Sequence, residues 1–114
     1  MNEEKVIKNC KSDAIVLIIS AVYALYNNFA NSINVLGVTW AIVLLILSIV
    51  FYIGAKNKQK YGYISGVGIV GITLMGALGL FLILGKIGII YVVFELLIAI
   101  IVGIHTFKLK KIIY

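Results

Sequence analysis

Glu95 is the residue best placed by type and position to do chemistry. It is the only acid within a long apolar segment, and an ionised carboxylate at the centre of a bilayer costs at least about 2.5 kcal/mol. Gly88, Tyr91, Ala99 and Thr106 fall on its helical face, so its carboxyl is expected to enter a seam of small and polar groups. Two readings follow. Glu95, with Tyr91 beside it, is a proton or cation site; or it is a neutral carboxyl hydrogen-bonded to a nearby Asn, Tyr or Ser and serves packing. A second polar feature runs along the first apolar segment. Asp13, Ser20, Tyr23, Asn27, Asn31 and Asn34 recur at spacings of seven, three, four, four and three. At about 100° per residue these positions lie within an arc of about 80°. Amides facing lipid would go unpaired at a cost of kcal/mol each, so this stripe is expected to face other helices or water. The competing reading makes the Asn cluster an outer loop beyond a shorter helix.

Other reactive residues are few. His105 lies near the end of its segment and off the Glu95 face, which makes it an interfacial residue. Cys10 is the only cysteine, so no intrachain disulfide can form. Beside a membrane it is either a lipidation site or an unmodified thiol. The single histidine and the few acids are expected at separate depths, which leaves no serine–histidine–acid set. Gly66-Val67-Gly68 lies within an apolar run and is no phosphate loop. Cysteine and histidine are too sparse for a metal cluster, and no cofactor is implied. The expectation is a protein that is not an enzyme.

The elements that must position these residues come from hydropathy. A bilayer-spanning helix needs about 20 mostly apolar residues. Four such segments are present, at about 13–34, 35–55, 61–84 and 87–107, flanked by termini at 1–12 and 108–114. Gly85-Lys86-Ile87-Gly88 reads as a tight turn between the last two. The runs are continuous and about twice the length of a membrane strand, with no two-residue alternation, so helices are expected rather than a barrel. The fold class is therefore an all-α integral membrane protein, a single-domain bundle of four transmembrane helices. A cleavable signal peptide over residues 1–24 is the rival reading of the first segment.

Composition agrees. Of 114 residues 63% are hydrophobic and 12% charged, against about half and a quarter in soluble domains. Net charge is +6, but the lysines flank apolar segments, which points to topology and anionic lipid rather than nucleic acid. Lys5, Lys8, Lys11, Lys56, Lys58, Lys60, Lys108, Lys110 and Lys111 all sort to one side of a four-span chain, and only Lys86 to the other. The positive-inside rule makes both termini cytoplasmic. Tyr26, Phe29 and Trp40 fall near the outer interface, and Tyr52, Tyr61 and Tyr63 near the inner one. The third segment carries a seam of Ser65, Gly68, Gly71, Gly76 and Gly79, which suits close helix packing or a homo-oligomer contact. The second has a thinner stripe of Gly37, Ala41, Ser48, Tyr52 and Ala55. The two halves echo each other as parallel two-helix repeats of about 50 residues.

Size and span number resemble the small multidrug exporters, whose membrane acid lies in the first helix; here only the boundary residue Asp13 stands there. The fluoride-channel family has a similar layout, but its phenylalanine-rich motif is absent, and phage holins match in composition alone. The residues assign no family. The Ile-, Lys- and Asn-bearing composition resembles that of an AT-rich prokaryote. The expected function is binding within the cell membrane, as an accessory subunit or an immunity-type protein, with a membrane-protein partner or a second copy. The alternatives are a small oligomeric transporter or channel using Glu95, and a holin-like pore former. The topology is open to direct test. A cytoplasm-active reporter is expected to work at either terminus and at Lys58, and to fail near residue 33; opposite behaviour of the two termini would refute an even number of spans.

Overall fold

The computed structural model describes residues 3–30 and 35–114. Four α-helices follow one another: α1 over Glu3–Ala30, α2 over Val35–Asn57, α3 over Lys60–Leu84 and α4 over Ile89–Ile113. Each is long and apolar enough to cross a membrane. At about 1.5 Å per residue a helix of 23 to 28 residues spans about 35–42 Å, which matches the 42 Å long axis of the molecule. The helices run up and down in turn, and neighbours in the chain are neighbours in space, with α4 returning beside α1. The α1–α2 and α3–α4 hairpins are the most extensive pairings, and the α1–α4 seam is the loosest of the four.

The helices outrun the apolar segments at the lysine-rich end. α1 begins at Glu3 rather than near residue 13, because Glu3 and Glu4 lie in its first turn, where the helix dipole favours acids. α4 continues past Phe107 through Lys110 and Lys111, which lie in its last turn where cations are favoured. At the other end, Asn31 and Asn34 fall outside the described residues. Two connections are tight. Lys58 and Gln59 alone join α2 to α3, with Lys58 in the left-handed region (φ 55°). The Gln59 N–H donates to Gly54 O at 2.9 Å and the Lys58 N–H to Ala55 O at 3.3 Å, the pairing that satisfies the last carbonyls of a helix at a left-handed cap. A 3₁₀ turn over Gly85–Gly88 joins α3 to α4. Gly85 adopts φ 61°, and its N–H closes α3 on Phe81 O; glycine takes that conformation without the Cβ penalty.

The interior is narrow and built of small side chains. Val6, Cys10, Ala14, Leu17 and Ala21 form the buried face of α1, spaced four, four, three and four apart. Ala41, Leu44, Ser48, Phe51 and Ala55 do the same on α2. Outward-facing apolar residues such as Leu36, Met75, Leu82 and Ile90 are more than 70% exposed. Soluble monomers rarely expose contiguous apolar patches above a few hundred Å², and here such residues clothe every helix.

The closest approach lies beside the two-residue link. Gly54 and Gly62 stand four residues either side of Lys58 and touch backbone to backbone; a Cβ on Gly62 would sit 2.6 Å from the Gly54 carbonyl carbon. Gly66 meets the Thr106 side chain in the same way across α3–α4. The five-residue α3 seam divides. Ser65 is buried, Gly68 faces Leu47 and Gly76 faces Trp40, while the Cβ positions of Gly71 and Gly79 meet nothing within 4 Å. Gly62→Ala is therefore expected to destabilise by about 1–3 kcal/mol, since backbone on both sides must shift. Gly71→Ala is expected to be neutral or to stabilise by up to about 1 kcal/mol. Unfolding followed by helical circular dichroism in detergent separates the two, and equal responses would refute the contact.

Candidate functional site

The polar residues converge on the α1–α4 seam. His105 Nδ1 on α4 pairs with the Asp13 carboxylate on α1. Both side chains are largely withdrawn from solvent, at 22% and 15% exposure. Cys10, one turn before Asp13, donates its thiol to the His105 backbone carbonyl at 3.5 Å. The thiol thus bonds main chain rather than the imidazole and is fully buried, so the three groups form no nucleophile–base relay, and an acyl chain has no access to the sulfur. The sequence alone puts the histidine and the acids at separate depths and His105 at an interface. The fold brings Asp13 and His105 together because α4 runs back along α1.

That pairing sets the register. Two antiparallel helices advance equally in opposite directions, so matching 13 with 105 brings Ser20 level with Ile98 and Ala24 level with Phe94, one residue from Glu95. A cavity of about 150 Å³ lies there, walled by all four helices. Leu17, Ser20 and Ala24 come from α1, Trp40 and Leu44 from α2, Thr73 from α3, and Phe94, Glu95 and Ile98 from α4. Glu95 therefore shares with Ser20 of the α1 stripe a space between the helices that opens at the bundle surface, where Ser20 and Phe94 are exposed. Among the described residues it makes neither hydrogen bond nor ion pair. The Thr73 hydroxyl donates to Ile69 O at 2.7 Å, which leaves its oxygen free to accept. The Trp40 indole Nε1 is buried and has no hydrogen-bond partner among the described residues. A second cavity of about 130 Å³ continues toward the lysine-rich end, walled by Asp13, Val16, Leu17, Ile98, Ile101 and Val102.

The remaining stripe residues separate. Asn27 is half-buried, whereas Tyr23 and Tyr91 turn outward at 66% and 59% exposure. The physical reason is a competing face. The small-residue stripe of α1 from Val6 to Ala21 is centred about 100° around the helix from the polar one and takes the packed position. The polar stripe becomes the edge that borders the seam with α4. Asn28, outside the stripe, packs its amide against Gly37 of α2 and donates from Nδ2 to Ala24 O at 2.7 Å.

Lysines gather at the end where α1 and α3 begin and α2 and α4 end. Lys56, Lys58, Lys60, Lys108, Lys110 and Lys111 are all exposed. Lys58 Nζ lies 3.1 Å from Glu3 Oε2, a surface pair worth about 0–1 kcal/mol. Lys60 sits 5.2 Å from the Tyr114 ring centre and Lys110 5.6 Å from that of Tyr63, with the two rings edge to face at 5.7 Å. Lys11 covers Tyr52 and Lys111 covers Phe107.

No protein-family model, curated protein or solved structure matches this chain.

The Asp13–His105 pair makes a quantitative expectation. Removing one partner of a buried pair leaves the other uncompensated, at about 3–5 kcal/mol when fully buried; at this partial exposure about 1–3 kcal/mol is expected for Asp13→Asn or His105→Gln. A double-mutant cycle in detergent should return a coupling energy above about 0.5 kcal/mol. Additive losses would mean that the two side chains act independently.

Proposed function

We propose that the chain is a non-enzymatic multi-pass protein of a prokaryotic cell membrane, with both termini cytoplasmic, that acts by binding a partner within the bilayer. An accessory subunit of a membrane complex and an immunity-type protein both fit this role. The observation that carries it is the shortness of the connections, two residues between α2 and α3 and a four-residue turn between α3 and α4. Recognition then has little but helix faces to work with, and those faces carry exposed apolar side chains along their length. The lysine-rich end supports the cytoplasmic orientation and suits contact with anionic headgroups at about 1 kcal/mol per lysine near the surface. Extraction from native membranes in mild detergent is expected to co-isolate a stoichiometric membrane partner. A partner-free monomer under those conditions would count against the reading.

A second reading is favoured by the Glu95 cavity: a small transporter or channel in which Glu95 carries a proton or small cation. Four helices enclose little space, so two or more copies would form the path. Vesicles containing the protein are expected to show a proton or cation flux that Glu95→Gln abolishes. Equal flux in both proteins removes Glu95 from the mechanism, and no flux under any gradient removes the reading.

A further inference from the structure

Trp40 Nε1 and the Glu95 carboxyl wall the same cavity, and neither has a protein partner among the described residues. A buried donor left without an acceptor costs about 1–3 kcal/mol. A polar cavity with room ends that cost by holding water. At about 30 Å³ of liquid volume per molecule, the cavity of about 150 Å³ has space for roughly five waters. The indole N–H, the carboxyl and the Ser20 and Thr73 hydroxyls supply the anchors. Water also suits this wall better than a metal or ammonium ion, because water accepts from the indole N–H while donating to the carboxylate.

The second cavity adjoins the first through shared walls, Leu17 and Ile98, and reaches Asp13. Glu95 and His105 are ten residues apart on α4, about 15 Å along the axis, which is beyond any direct hydrogen bond of about 2.8 Å. A chain of about five waters covers that distance, and the two cavities together have the volume for it. Asp13 is the one polar side chain lining the second cavity, so that stretch offers water few anchors.

We propose that Glu95 takes up and releases a proton through the α1–α4 seam, by waters that pass Leu17 and Ile98 and meet bulk solvent at the Asp13–His105 pair. On uptake a hydronium ion at the lysine-rich end gives up its proton, the waters relay it, and the Glu95 carboxylate becomes the carboxylic acid. Release is the reverse, and no other bond changes. Of the residues walling the Glu95 cavity, α2 and α3 contribute no titratable side chain. α1 brings Cys10, Asp13 and the outward-turned Tyr23 along the seam, and α4 brings Tyr91 and His105. The inference rests on the second reading's assignment of Glu95 as a proton site, but it requires exchange only and no net flux.

Trp40 is the sole tryptophan, so its fluorescence reports on this cavity. In detergent micelles the emission is expected to titrate with pH in the parent protein and to stay flat in Glu95→Gln, with helical circular dichroism unchanged. After a rapid pH jump, Asp13→Asn, which removes the ionisable carboxyl at the mouth of the seam, is expected to slow the fluorescence phase about a hundredfold, in the range of a positioned proton-transfer group. Ile98→Ser, which wets the seam without touching the pair, is expected to speed it. A flat parent titration, an undiminished titration in Glu95→Gln, or a rate indifferent to both seam variants would overturn the proposal. An intact titration in a protein that transports nothing would remove the transport reading and leave the exchange standing.

Discussion

The backbone contact between Gly54 and Gly62 is the constraint on which the rest of the bundle depends. Helices clothed in apolar side chains gain little in an apolar solvent by hiding more of the same surface. For helices in a bilayer, association comes from close van der Waals contact and hydrogen bonds. A two-residue link leaves α2 and α3 no room to diverge at the lysine-rich end, and only hydrogen fits between their backbones at these two positions. With that hairpin drawn together, Gly66 can accept Thr106 and α4 is pulled in beside α3. α1 packs on α2 through Cys10, Ala14, Leu17 and Ala21, which are mostly small for the same reason.

Tight packing on three seams leaves the fourth to be loose. α1 meets α4 through Cys10 and Leu17 at the margin of its small-residue face and through Asp13 and Ser20 of its polar edge, so this seam packs less closely than the others. Cavities form instead, and they hold the groups that packing seams exclude: a carboxyl, an indole N–H and two hydroxyls. The Asp13–His105 pair closes the seam toward the lysine-rich end. The thiol of Cys10 adds a weak bond to the same turn of α4. The looseness is thus bounded, fastened at one end and open within.

The lysines are arranged with equal economy. The up-and-down course gathers the cations of three chain segments at one end of the bundle. Mutual repulsion is relieved there by aromatic faces, with Lys11 on Tyr52, Lys60 on Tyr114 and Lys110 on Tyr63. Each such contact is worth about 0.5–1 kcal/mol at an exposed site. The α4 tail after Phe107 is held as helix by these partners, where hydropathy alone would have ended it.

The number of helices, their approximate limits and the gathering of lysines at one end were legible in the amino-acid sequence. They follow from run length and from the alternation of direction that short connections impose, both one-dimensional properties. So was Glu95 as an unusual residue, since an acid inside an apolar run stands out without any fold. The helix ends at the lysine-rich side were not, because dipole and cation–aromatic contacts extended α1 and α4 beyond their apolar cores. Nor was the division of the α3 glycines. A stripe pattern gives a face but not a neighbour, and Gly54 and Gly62 gain meaning only from lying either side of one tight turn.

Only the tertiary structure decided what Glu95 faces and what His105 holds. Asp13 and His105 are 92 residues apart in the chain, and no local pattern joins them. Their contact depends on α4 returning beside α1 in one register out of several that hydropathy would tolerate. That register turns a lone carboxyl and a lone indole into walls of one cavity. Two faces of α1 competed for the packed position, one small and apolar, the other polar. The small one took it, because close approach repays each contact more than a polar edge can without partners of its own.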